Sequence, residues 1–254
     1  MSQKIKRIRA DELLVLNKLC DSRTQAKTLI LAGQVRMGTE RIEKSSRMLP
    51  ENTELQLVEQ LKYVGRGGLK MENFLTDSGY KVAGLHVLDL GASTGGFTDC
   101  LLQQGASEAT CVDVGHGQLH YRLRTDERVH NFEKTNLRNI TPQDIPDCPF
   151  PFIVMDLSFI SLRKVLPAAW SFLAPRGKII SLVKPQFECK KEEADSGKGI
   201  IRDPEIHKRV LNEIKQFAKT NLSGSSLLAE KSARPQGTDG NQEFFLCWEK
   251  KTTA

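Results

Sequence analysis

The feature of this chain that most limits its fold is a motif in which an apolar strand leads into a glycine-rich turn and then into a helix. The motif reads Val87-Leu88-Asp89-Leu90-Gly91-Ala92-Ser93-Thr94-Gly95-Gly96-Phe97. Its glycine spacing differs from the Gly-x-Gly-x-x-Gly turn that holds a dinucleotide. Because glycines let the backbone approach a bound ligand closely, the motif predicts a small-molecule site at the end of this strand.

Apolar runs alternate with helical segments from this motif to the end of the chain. The runs are His86 to Leu90, Ala109 to Val114, Val129 to Phe132, Phe152 to Asp156, Lys178 to Val183, Ser226 to Glu230 and Phe244 to Trp248. Such alternation is typical of an α/β fold with helices around a parallel sheet. We therefore predict a Rossmann-like domain with a mainly parallel, seven-stranded sheet that binds its ligand at the carboxyl ends of the strands.

An acidic residue follows the second strand at a distance that suits nucleoside binding. Asp113 lies 22 residues after Gly91, and a carboxylate about 20 residues after such a turn commonly binds ribose hydroxyls. The spacing of the turn favours S-adenosylmethionine, with a dinucleotide or a purely structural turn as alternatives. Asn136 is a candidate for the adenine side or for a loop cap. The expected cofactor contacts are Asp89, Gly91, Ala92, Ser93, Thr94, Gly95, Gly96, Phe97, Asp113, Val114, Asn136 and Asp156.

The front of the chain carries an excess of positive charge. Residues 1–49 contain eleven lysines and arginines against five acidic residues, and the resulting +6 equals the net charge of the whole chain. A polyanion is therefore an expected partner. Apolar residues recur at helical spacing from Asp11 to about Gly33, and this predicts two short helices. Ser22 is a candidate N-cap for the second helix and Gly33 a candidate stop, and small strands and turns are expected after it.

The same segment resembles the S-four-type (alpha-L) RNA-binding domain. The resemblance rests on Arg7 to Asp11, Ser22-Arg23-x-x-Ala26 and Leu29-Ile30-x-Ala32-Gly33-x-Val35. It implies a helix pair that contacts phosphates and so fixes the position of an RNA without reading its sequence. A solvated basic face is the alternative. The candidate RNA-binding residues are Arg7, Arg9, Ser22, Arg23, Lys27, Arg36 and Arg66.

We predict two domains with a short connection. Residues 1–61 form the RNA-binding domain, residues 62–68 the linker, and residues 69–254 the S-adenosylmethionine domain. Gly65, Gly67 and Gly68 suit a flexible or sharply turning connection. Residues 188–203 are polar and contain glycine, and we interpret them as a mobile loop over the RNA, with a solvated linker as the alternative.

Several motifs in order resemble the TlyA family of haemolysin-A-like proteins. They are Gly91-Ala-Ser-Thr-Gly-Gly-Phe-Thr98, Asp113-Val-Gly-His-Gly-Gln-Leu119, Asp156-Leu-Ser-Phe-Ile-Ser-Leu162, Lys184-Pro-Gln-Phe-Glu188 and Gly240-Asn-Gln-Glu-Phe244. Members are similar to FtsJ-type ribose 2′-O-methyltransferases and act on ribosomal RNA. The resemblance implies a methyl transfer from S-adenosylmethionine to a ribose 2′-hydroxyl, with cytidine as the expected nucleotide. The family usually has serine where this chain has Gly65.

The resemblance also implies a catalytic tetrad of Lys70, Asp156, Lys184 and Glu243. Asp156 and Lys184 stand at the ends of apolar strands, where an unpaired charge is costly, so each is the natural partner of the other. We expect Lys184 to deprotonate or polarise the 2′-hydroxyl and Asp156 to orient Lys184. Lys70 and Glu243 are assigned through the resemblance alone, and ordinary surface ion pairs are the alternative for them.

Three other functions are less consistent with the sequence. A catalytically silent RNA-binding or ribosome-assembly factor would use the front domain alone. Methylation of a base commonly brings a proline-rich Asn/Asp motif or a nucleophilic cysteine, and Asp156-Leu-Ser-Phe has neither. A pore-forming protein would need an apolar span or an amphipathic basic helix with aromatic anchors, which we do not find in the sequence.

The six cysteines are scattered, with no Cys-x-x-Cys pair and no histidine at ligand spacing. We therefore expect neither a disulfide framework nor a metal, and none is needed for the reaction. Residues 1–10 are basic and polar, unlike a signal peptide. The expected location is the cytoplasm, and the expected partners are ribosomal RNA or ribosomal subunits without a membrane.

Overall fold

The computed structural model describes residues 6–31, 33–58, 62–237 and 239–252. The chain divides into two compact units, Met1–Leu61 and Lys62–Ala254. Ala32, which belongs to the motif that resembles the S-four-type domain, lies outside the described residues.

The described residues of the first unit form two short helices and five short strands. Their bounds are β1 Arg7–Arg9, α1 Ala10–Leu16, α2 Arg23–Leu31, β2 Val35–Met37, β3 Glu40–Arg41, β4 Met48–Pro50 and β5 Gln56–Leu57. Strands β1 and β4 form one antiparallel pair, and β3, β2 and β5 form a three-stranded sheet in that order. The prediction of two helices followed by small strands is confirmed, and β1 before the helices is an addition.

Local chemistry explains where α2 begins and ends. The Ser22 hydroxyl accepts a hydrogen bond from the Gln25 backbone N–H at 3.2 Å, which satisfies one of the free amides of the first turn. Gly33 follows the helix with φ of +72°, and a Cβ there would lie 2.3 Å from the Arg41 guanidinium. Glycine adopts this left-handed conformation without strain, which suits the residue that follows a helix. Both predicted end residues are therefore confirmed.

A buried acid joins the two helices of this unit. Asp11 is fully buried and accepts a bidentate hydrogen bond from Arg9 at 2.9 and 3.1 Å and another from Arg23 at 3.1 Å. Burial alone would raise the pKa of Asp11, but the hydrogen bonds and charges of the two arginines outweigh it and hold the pKa below its usual value. Apolar residues from both helices, including Leu13, Leu14 and Ile30, pack around this group.

The second unit is built on a seven-stranded sheet. Its strands are β6 His86–Leu90, β7 Glu108–Val112, β8 Val129–Phe132, β9 Phe150–Met155, β10 Leu173–Val183, β11 Ser225–Ser232 and β12 Phe244–Lys250. Their order across the sheet is β11, β12, β10, β9, β6, β7, β8. Strands β6 to β10 are parallel, whereas β12 pairs antiparallel with both β10 and β11. The prediction of a mainly parallel, seven-stranded sheet is confirmed.

Helices cover both faces of this sheet, which makes a three-layer arrangement. They are α3 Arg66–Ser78, α4 Gly96–Gln103, α5 Tyr121–Arg124, α6 Leu166–Ser171, α7 Pro185–Glu188, α8 Lys191–Ser196 and α9 Pro204–Asn221. Side chains of α3 and α4 pack on one face with Val87 and Cys111 of the strands. Side chains of α6 and α9 pack on the other face with Leu88 and Val112. Successive strand residues thus bury opposite faces, as a sheet between two helical layers requires.

The structure corrects the predicted linker. Arg66–Gly68 form the first turn of α3, and Tyr63 just before it is 1% exposed. A Cβ on Gly68 would lie 2.3 Å from the Tyr63 ring. The prediction of a flexible or sharply turning connection is therefore wrong from Arg66 onward, because Gly68 serves close packing and not chain mobility.

The polar segment 188–203 also differs from the prediction. It contains the end of α7 and all of α8, and Glu188 and Ile201 are buried. Glu188 accepts hydrogen bonds from the Leu162 backbone N–H at 2.6 Å and the Ser161 hydroxyl at 2.7 Å. The segment is therefore anchored at both ends, and the interpretation as a mobile loop is wrong for these positions.

The packing of Gly68 leads to a stability prediction. We expect Gly68→Ala to lower the free energy of unfolding by about 1 to 3 kcal/mol, because the new methyl group overpacks the fully buried Tyr63. Thr76→Ala, at an exposed position of the same helix, is the control and should change it by less than about 0.5 kcal/mol. Urea unfolding followed by circular dichroism measures both. A neutral or stabilising Gly68→Ala would mean that the glycine does not pack as described.

Candidate active site

The glycine turn after β6 is pressed against the end of β9. Gly91 has φ of +84°, and a Cβ there would lie 2.7 Å from the Leu157 side chain and 2.9 Å from the Asp156 carbonyl oxygen. A Cβ on Gly96 would lie 3.0 Å from the Gly68 backbone nitrogen. The missing side chains thus bring the turn, the end of β9 and the start of α3 into direct contact. This contact creates a pocket where three elements meet.

A cavity of about 520 Å³ opens at the carboxyl ends of the strands, within the usual size range of small-molecule sites. Six of the predicted cofactor residues line it: Gly91, Ser93, Asp113, Val114, Asn136 and Asp156. A smaller cavity of about 100 Å³ shares three of these residues and adds Asp89, Ala92, Thr94, Gly96 and Phe97. The structure therefore brings nearly all of the predicted contacts together at one edge of the sheet.

Gly95 is the exception among the turn residues. It lines neither cavity. Its φ is +91°, and a Cβ would lie 2.1 Å from the Leu123 side chain. Gly95 thus contributes to the turn on the side away from the cavities, where its missing side chain lets Leu123 of α5 pack against it.

Asp113 and Asn136 each have a local role in addition to their place in the cavity. The two Asp113 carboxylate oxygens accept hydrogen bonds from the Ser93 N–H at 2.8 Å and the Gly115 N–H at 2.7 Å. Asn136 accepts from the Arg138 N–H at 3.1 Å, which is the loop cap that the sequence left open. Both side chains are therefore held in place before a ligand arrives.

Asp89 is the buried acid at the floor of the site. It is 1% exposed and accepts hydrogen bonds from the Thr98 hydroxyl at 2.7 Å and the Thr98 N–H at 3.2 Å, both on Oδ2. Its Oδ1 has no hydrogen-bond partner within the described residues. Burial, with the charges of Asp156 and Asp113 nearby, raises the pKa of Asp89 to about 7.

The four residues of the predicted tetrad form two ion pairs. Lys184 Nζ lies 2.6 Å from Asp156 Oδ1 and donates a hydrogen bond to the Ser158 hydroxyl at 3.0 Å. Lys70 pairs with Glu243, and both side chains are buried. These contacts are not those of ordinary surface pairs, because all four charges are withdrawn from water to some degree.

The sheet and α3 place the two pairs beside each other. Val183 pairs with Phe244 in the register of β10 and β12, so Lys184 and Glu243 are the next residues along these two adjacent strands. Gly67, one helical turn before Lys70, has a Cβ position 3.8 Å from Asp156 Oδ2. The tetrad therefore occupies a single region at the rim of the cofactor cavity.

An exposed aromatic ring at this rim was not assigned from the sequence. Phe159 is 90% exposed, lines the larger cavity and has φ of +62°, a strained conformation for an aromatic residue. Its ring lies 5.2 Å from that of Phe187. The sequence contains no signal for this exposure, because an aromatic residue after a strand ordinarily predicts burial.

The predicted RNA-binding residues are distributed over both units. Lys27 is exposed, whereas Ser22 is an N-cap and Arg9 and Arg23 are paired with Asp11. Of the remaining arginines, Arg7 donates to the Met48 carbonyl at 2.7 Å, Arg36 to the Thr39 carbonyl at 3.0 Å, and Arg66 to the Gln236 carbonyl at 3.0 Å. Several of these residues thus have structural contacts that the charge pattern could not indicate.

Known proteins resemble both the fold and this site. Residues 63–250 match the FtsJ-like methyltransferase family. TlyA of Mycobacterium tuberculosis, named a 16S/23S rRNA (cytidine-2′-O)-methyltransferase, is 40% identical over 243 residues, which cover 95% of this chain and 89% of that protein. Hemolysin A of Brachyspira hyodysenteriae is 38% identical over 238 residues, which cover 94% of this chain and 98% of that protein.

Solved structures agree with these relatives. A protein from Streptococcus thermophilus that is provisionally named a hemolysin has a TM-score of 0.73 and 40% identity, over 98% of this chain and 90% of that chain. An S-adenosylmethionine-dependent methyltransferase from Mesorhizobium loti has a TM-score of 0.51 at 14% identity, over 73% of this chain and 100% of that chain, and shows the fold alone. Within the described residues, no helix is both long and apolar enough to cross a membrane.

The fold and the pocket define an enzyme that transfers a methyl group from S-adenosylmethionine. The chain belongs to the FtsJ-like methyltransferase family and, within it, to the group that contains TlyA. The dinucleotide alternative is thereby excluded. The residues present suit the cofactor, since the unpartnered Oδ1 of Asp89 offers a place for a positive charge and the glycine turn leaves room for its amino-acid end.

The raised pKa of Asp89 predicts that cofactor affinity depends on pH. In an unfolded chain this carboxyl ionises near pH 3.8, and in the folded, ligand-free protein it ionises near pH 7. Because the carboxyl ionises at a lower pH in the unfolded chain, Asp89 lowers the free energy of unfolding as the pH rises from about 4 to about 7. A cationic ligand favours the ionised form, so we expect S-adenosylmethionine to bind about tenfold more weakly at pH 6 than at pH 8.

Isothermal titration calorimetry at both pH values measures this effect. Asp89→Asn should bind the cofactor weakly and with little pH dependence, whereas Asp195→Asn, at an exposed position of α8, should behave as wild type. Equal affinity of the wild type at pH 6 and pH 8 would contradict the role of Asp89.

Proposed function

We propose that this enzyme methylates the ribose 2′-hydroxyl of a cytidine in ribosomal RNA and that Lys184 activates the hydroxyl. The substrate rests on the relatives, since TlyA of Mycobacterium tuberculosis is named for cytidine 2′-O-methylation of 16S and 23S rRNA. TlyA of Campylobacter jejuni, 34% identical over 213 residues, is named for the 23S rRNA alone. With ribosomal RNA as its substrate, the enzyme would act in the cytoplasm.

The observation that carries the proposal is the Lys184–Asp156 pair beside the cofactor cavity. Asp156 lines that cavity, and its Oδ1 is 2.6 Å from Lys184 Nζ. The Lys184 side chain retains 12% exposure, so an incoming hydroxyl can reach its amine. A lysine held by an acid at the cofactor's edge is suited to take or stabilise charge on an oxygen nucleophile.

The reaction replaces one bond to the methyl carbon by another. Bound S-adenosylmethionine supplies the methyl group on a sulfonium centre, which leaves as a neutral thioether. As a neutral amine, Lys184 would take the proton of the 2′-hydroxyl while the oxygen forms the new bond to carbon. As an ammonium, it would stabilise the developing negative charge on the oxygen, and the proton would pass to water. Asp156 and the Ser158 hydroxyl hold the amine in position. Positioning of the two reactants in line supplies much of the rate enhancement.

The second ion pair supports the first without touching the cavity. Lys70 and Glu243 are 7% and 4% exposed, and neither lines the cofactor cavities. Glu243 precedes the strand that pairs with the end of β10, which ends immediately before Lys184. We assign Lys70 and Glu243 the role of positioning Lys184 and, through Lys184, the ribose, because a buried ion pair resists displacement.

Phe159 extends the site toward the target nucleotide. Its ring is exposed at the cavity rim, close to Ser158, which holds Lys184. An enzyme that modifies one nucleotide must separate it from its neighbours, and an aromatic face stabilises an unstacked base by about 1 to 3 kcal/mol. Phe159 thus offers a stacking surface for that base.

The first unit supplies RNA affinity in this proposal. Its +6 charge over residues 1–49 attracts phosphates, and Lys27 lies one helical turn after Arg23 on α2. Lys27 forms no ion pair within the residues that the structure describes. It is therefore available to a phosphate, and the side chains of Arg9 and Arg23 are partly exposed as well.

Substitution of Lys184 tests the chemistry. We expect Lys184→Ala to lower the rate of methyl transfer at least about a hundredfold, while the cofactor affinity stays within about twofold. Lys184→Arg keeps the positive charge but cannot act as a base at neutral pH, so it separates proton transfer from charge stabilisation. Lys191→Ala, an exposed lysine of α8, is the control. Wild-type transfer by Lys184→Ala would refute the role of Lys184.

Substitution of Lys27 tests the role of the first unit. We expect Lys27→Ala to weaken binding to ribosomal RNA and to reduce the slope of log affinity against log salt by about 1, because one phosphate contact is lost. Fluorescence anisotropy at several salt concentrations measures both quantities. Lys219→Ala, on the exposed side of α9, should leave both unchanged. An unchanged slope for Lys27→Ala would remove this lysine from the RNA surface.

A further inference from the structure

Two histidines and a glutamate lie close together at the amino ends of the strands, opposite the carboxyl ends that form the cofactor pocket. His86 is the first residue of β6, Glu108 the first of β7, and His130 the second of β8. The strand register pairs His86 with Glu108 and Thr110 with His130. Adjacent parallel strands thus bring three side chains with ligand atoms to one place at their amino ends.

The three side chains are already close to the geometry of a metal site. One ligand atom from each residue lies within 4.8 Å of those of the other two. His130 Nε2 and Glu108 Oε2 are 2.8 Å apart, and the rings of His86 and His130 are 5.6 Å apart between centroids. In a tetrahedral zinc site, neighbouring ligand atoms lie roughly 3.3 Å apart, as follows from bonds of about 2.0 Å. Side-chain rotations that move the ligand atoms by about 1 Å would bring them to the separations of a zinc site.

We propose that His86, Glu108 and His130 bind one divalent transition-metal ion, with Zn²⁺ as the best match. Two imidazoles and one carboxylate suit zinc, whereas Mg²⁺ and Ca²⁺ prefer sites built from oxygen alone. The Thr110 hydroxyl, now 2.8 Å from His86 Nε2, stands beside this group. Water completes the coordination, because the cluster is partly exposed.

The role of this ion would be structural. It would cross-link β6, β7 and β8 at their amino ends, while the carboxyl ends of β6 and β7 lead to Gly91 and Asp113 in the cofactor pocket. The metal would thus stabilise the part of the sheet that carries the cofactor site. It takes no part in methyl transfer, so this inference stands independently of the proposed function.

Binding of Zn²⁺ to the full chain, freed of metals by a chelator, tests the proposal. Competition with a chromogenic chelator should give one site, and His86→Gln, His130→Gln and Glu108→Gln should each weaken it more than about tenfold. His116→Gln is the matched control, because His116 also pairs with a glutamate, Glu133, at 3.0 Å but lacks a third ligand. Its affinity for Zn²⁺ should equal that of the wild type.

Two further measurements keep the result interpretable. Circular dichroism and methyl transfer show whether each variant is folded. At least one of the three substitutions must lower the affinity for Zn²⁺ in a variant that is folded. The absorption spectrum with Co²⁺ should show no sulfur-to-metal charge-transfer band, since no cysteine belongs to the cluster. Absence of binding, a charge-transfer band, or equal affinities in folded variants would overturn the proposal.

Discussion

The close approach of the Gly91 turn to the end of β9 is the constraint on which the rest of the site depends. A side chain at Gly91 would collide with the Asp156 carbonyl and with Leu157. Without that contact, the cofactor turn and the strand that delivers Asp156 could not share one pocket. Gly96 repeats the arrangement against Gly68 and so attaches α3, which carries Lys70. Two glycines therefore join the cofactor site to both ion pairs.

The charges of the site follow from this crowding. Asp89 lies in β6, Asp156 directly follows β9 on one side of β6, and Asp113 directly follows β7 on the other side. Burial, with the charges of Asp156 and Asp113 added to it, raises the pKa of Asp89 to about 7. The lysine of the Lys184–Asp156 pair offsets part of that negative charge, and a cationic cofactor offsets more. The negative charge of the site thus favours a positively charged cofactor such as S-adenosylmethionine, for which the glycine turn leaves room.

Several parts of this structure could be predicted from the sequence because they rest on local patterns. Each of the seven strands has a run of apolar residues, and Ser22 and Gly33 are residues whose chemistry marks helix ends. Asp156 and Lys184 were recognisable because a charge at the end of an apolar strand needs a partner. Lys70 and Glu243 were assigned through the family resemblance, because these two residues pair with each other although they lie far apart in the sequence.

Other parts depend on contacts between distant residues, which local patterns do not encode. The glycines at 65, 67 and 68 predict mobility by composition, yet Gly68 lies in the first turn of α3 and packs against Tyr63. The segment around Glu188 is polar, but the Leu162 N–H and the Ser161 hydroxyl donate hydrogen bonds to the Glu188 carboxylate. The meeting of His86, Glu108 and His130 follows from strand order and register.

The exposed ring of Phe159 likewise depends on a backbone conformation that its residue type disfavours. Such strain is often found where a side chain must face a ligand. In this protein the strained residue lies next to Ser158, which contacts Lys184. The exposed ring thus stands beside the lysine to which we assign activation of the hydroxyl.

The most direct test of the central claim is transfer of labelled methyl from S-adenosylmethionine to purified bacterial ribosomal subunits, followed by alkaline hydrolysis of the RNA. A 2′-O-methyl group blocks cleavage of the adjacent phosphodiester, because the neighbouring hydroxyl is no longer free to attack it. We expect the label at an alkali-resistant cytidine, and its loss with Lys184→Ala. Label confined to alkali-sensitive positions would place the methyl group on a base and contradict the role of the tetrad, and a complete absence of label would contradict the proposed substrate.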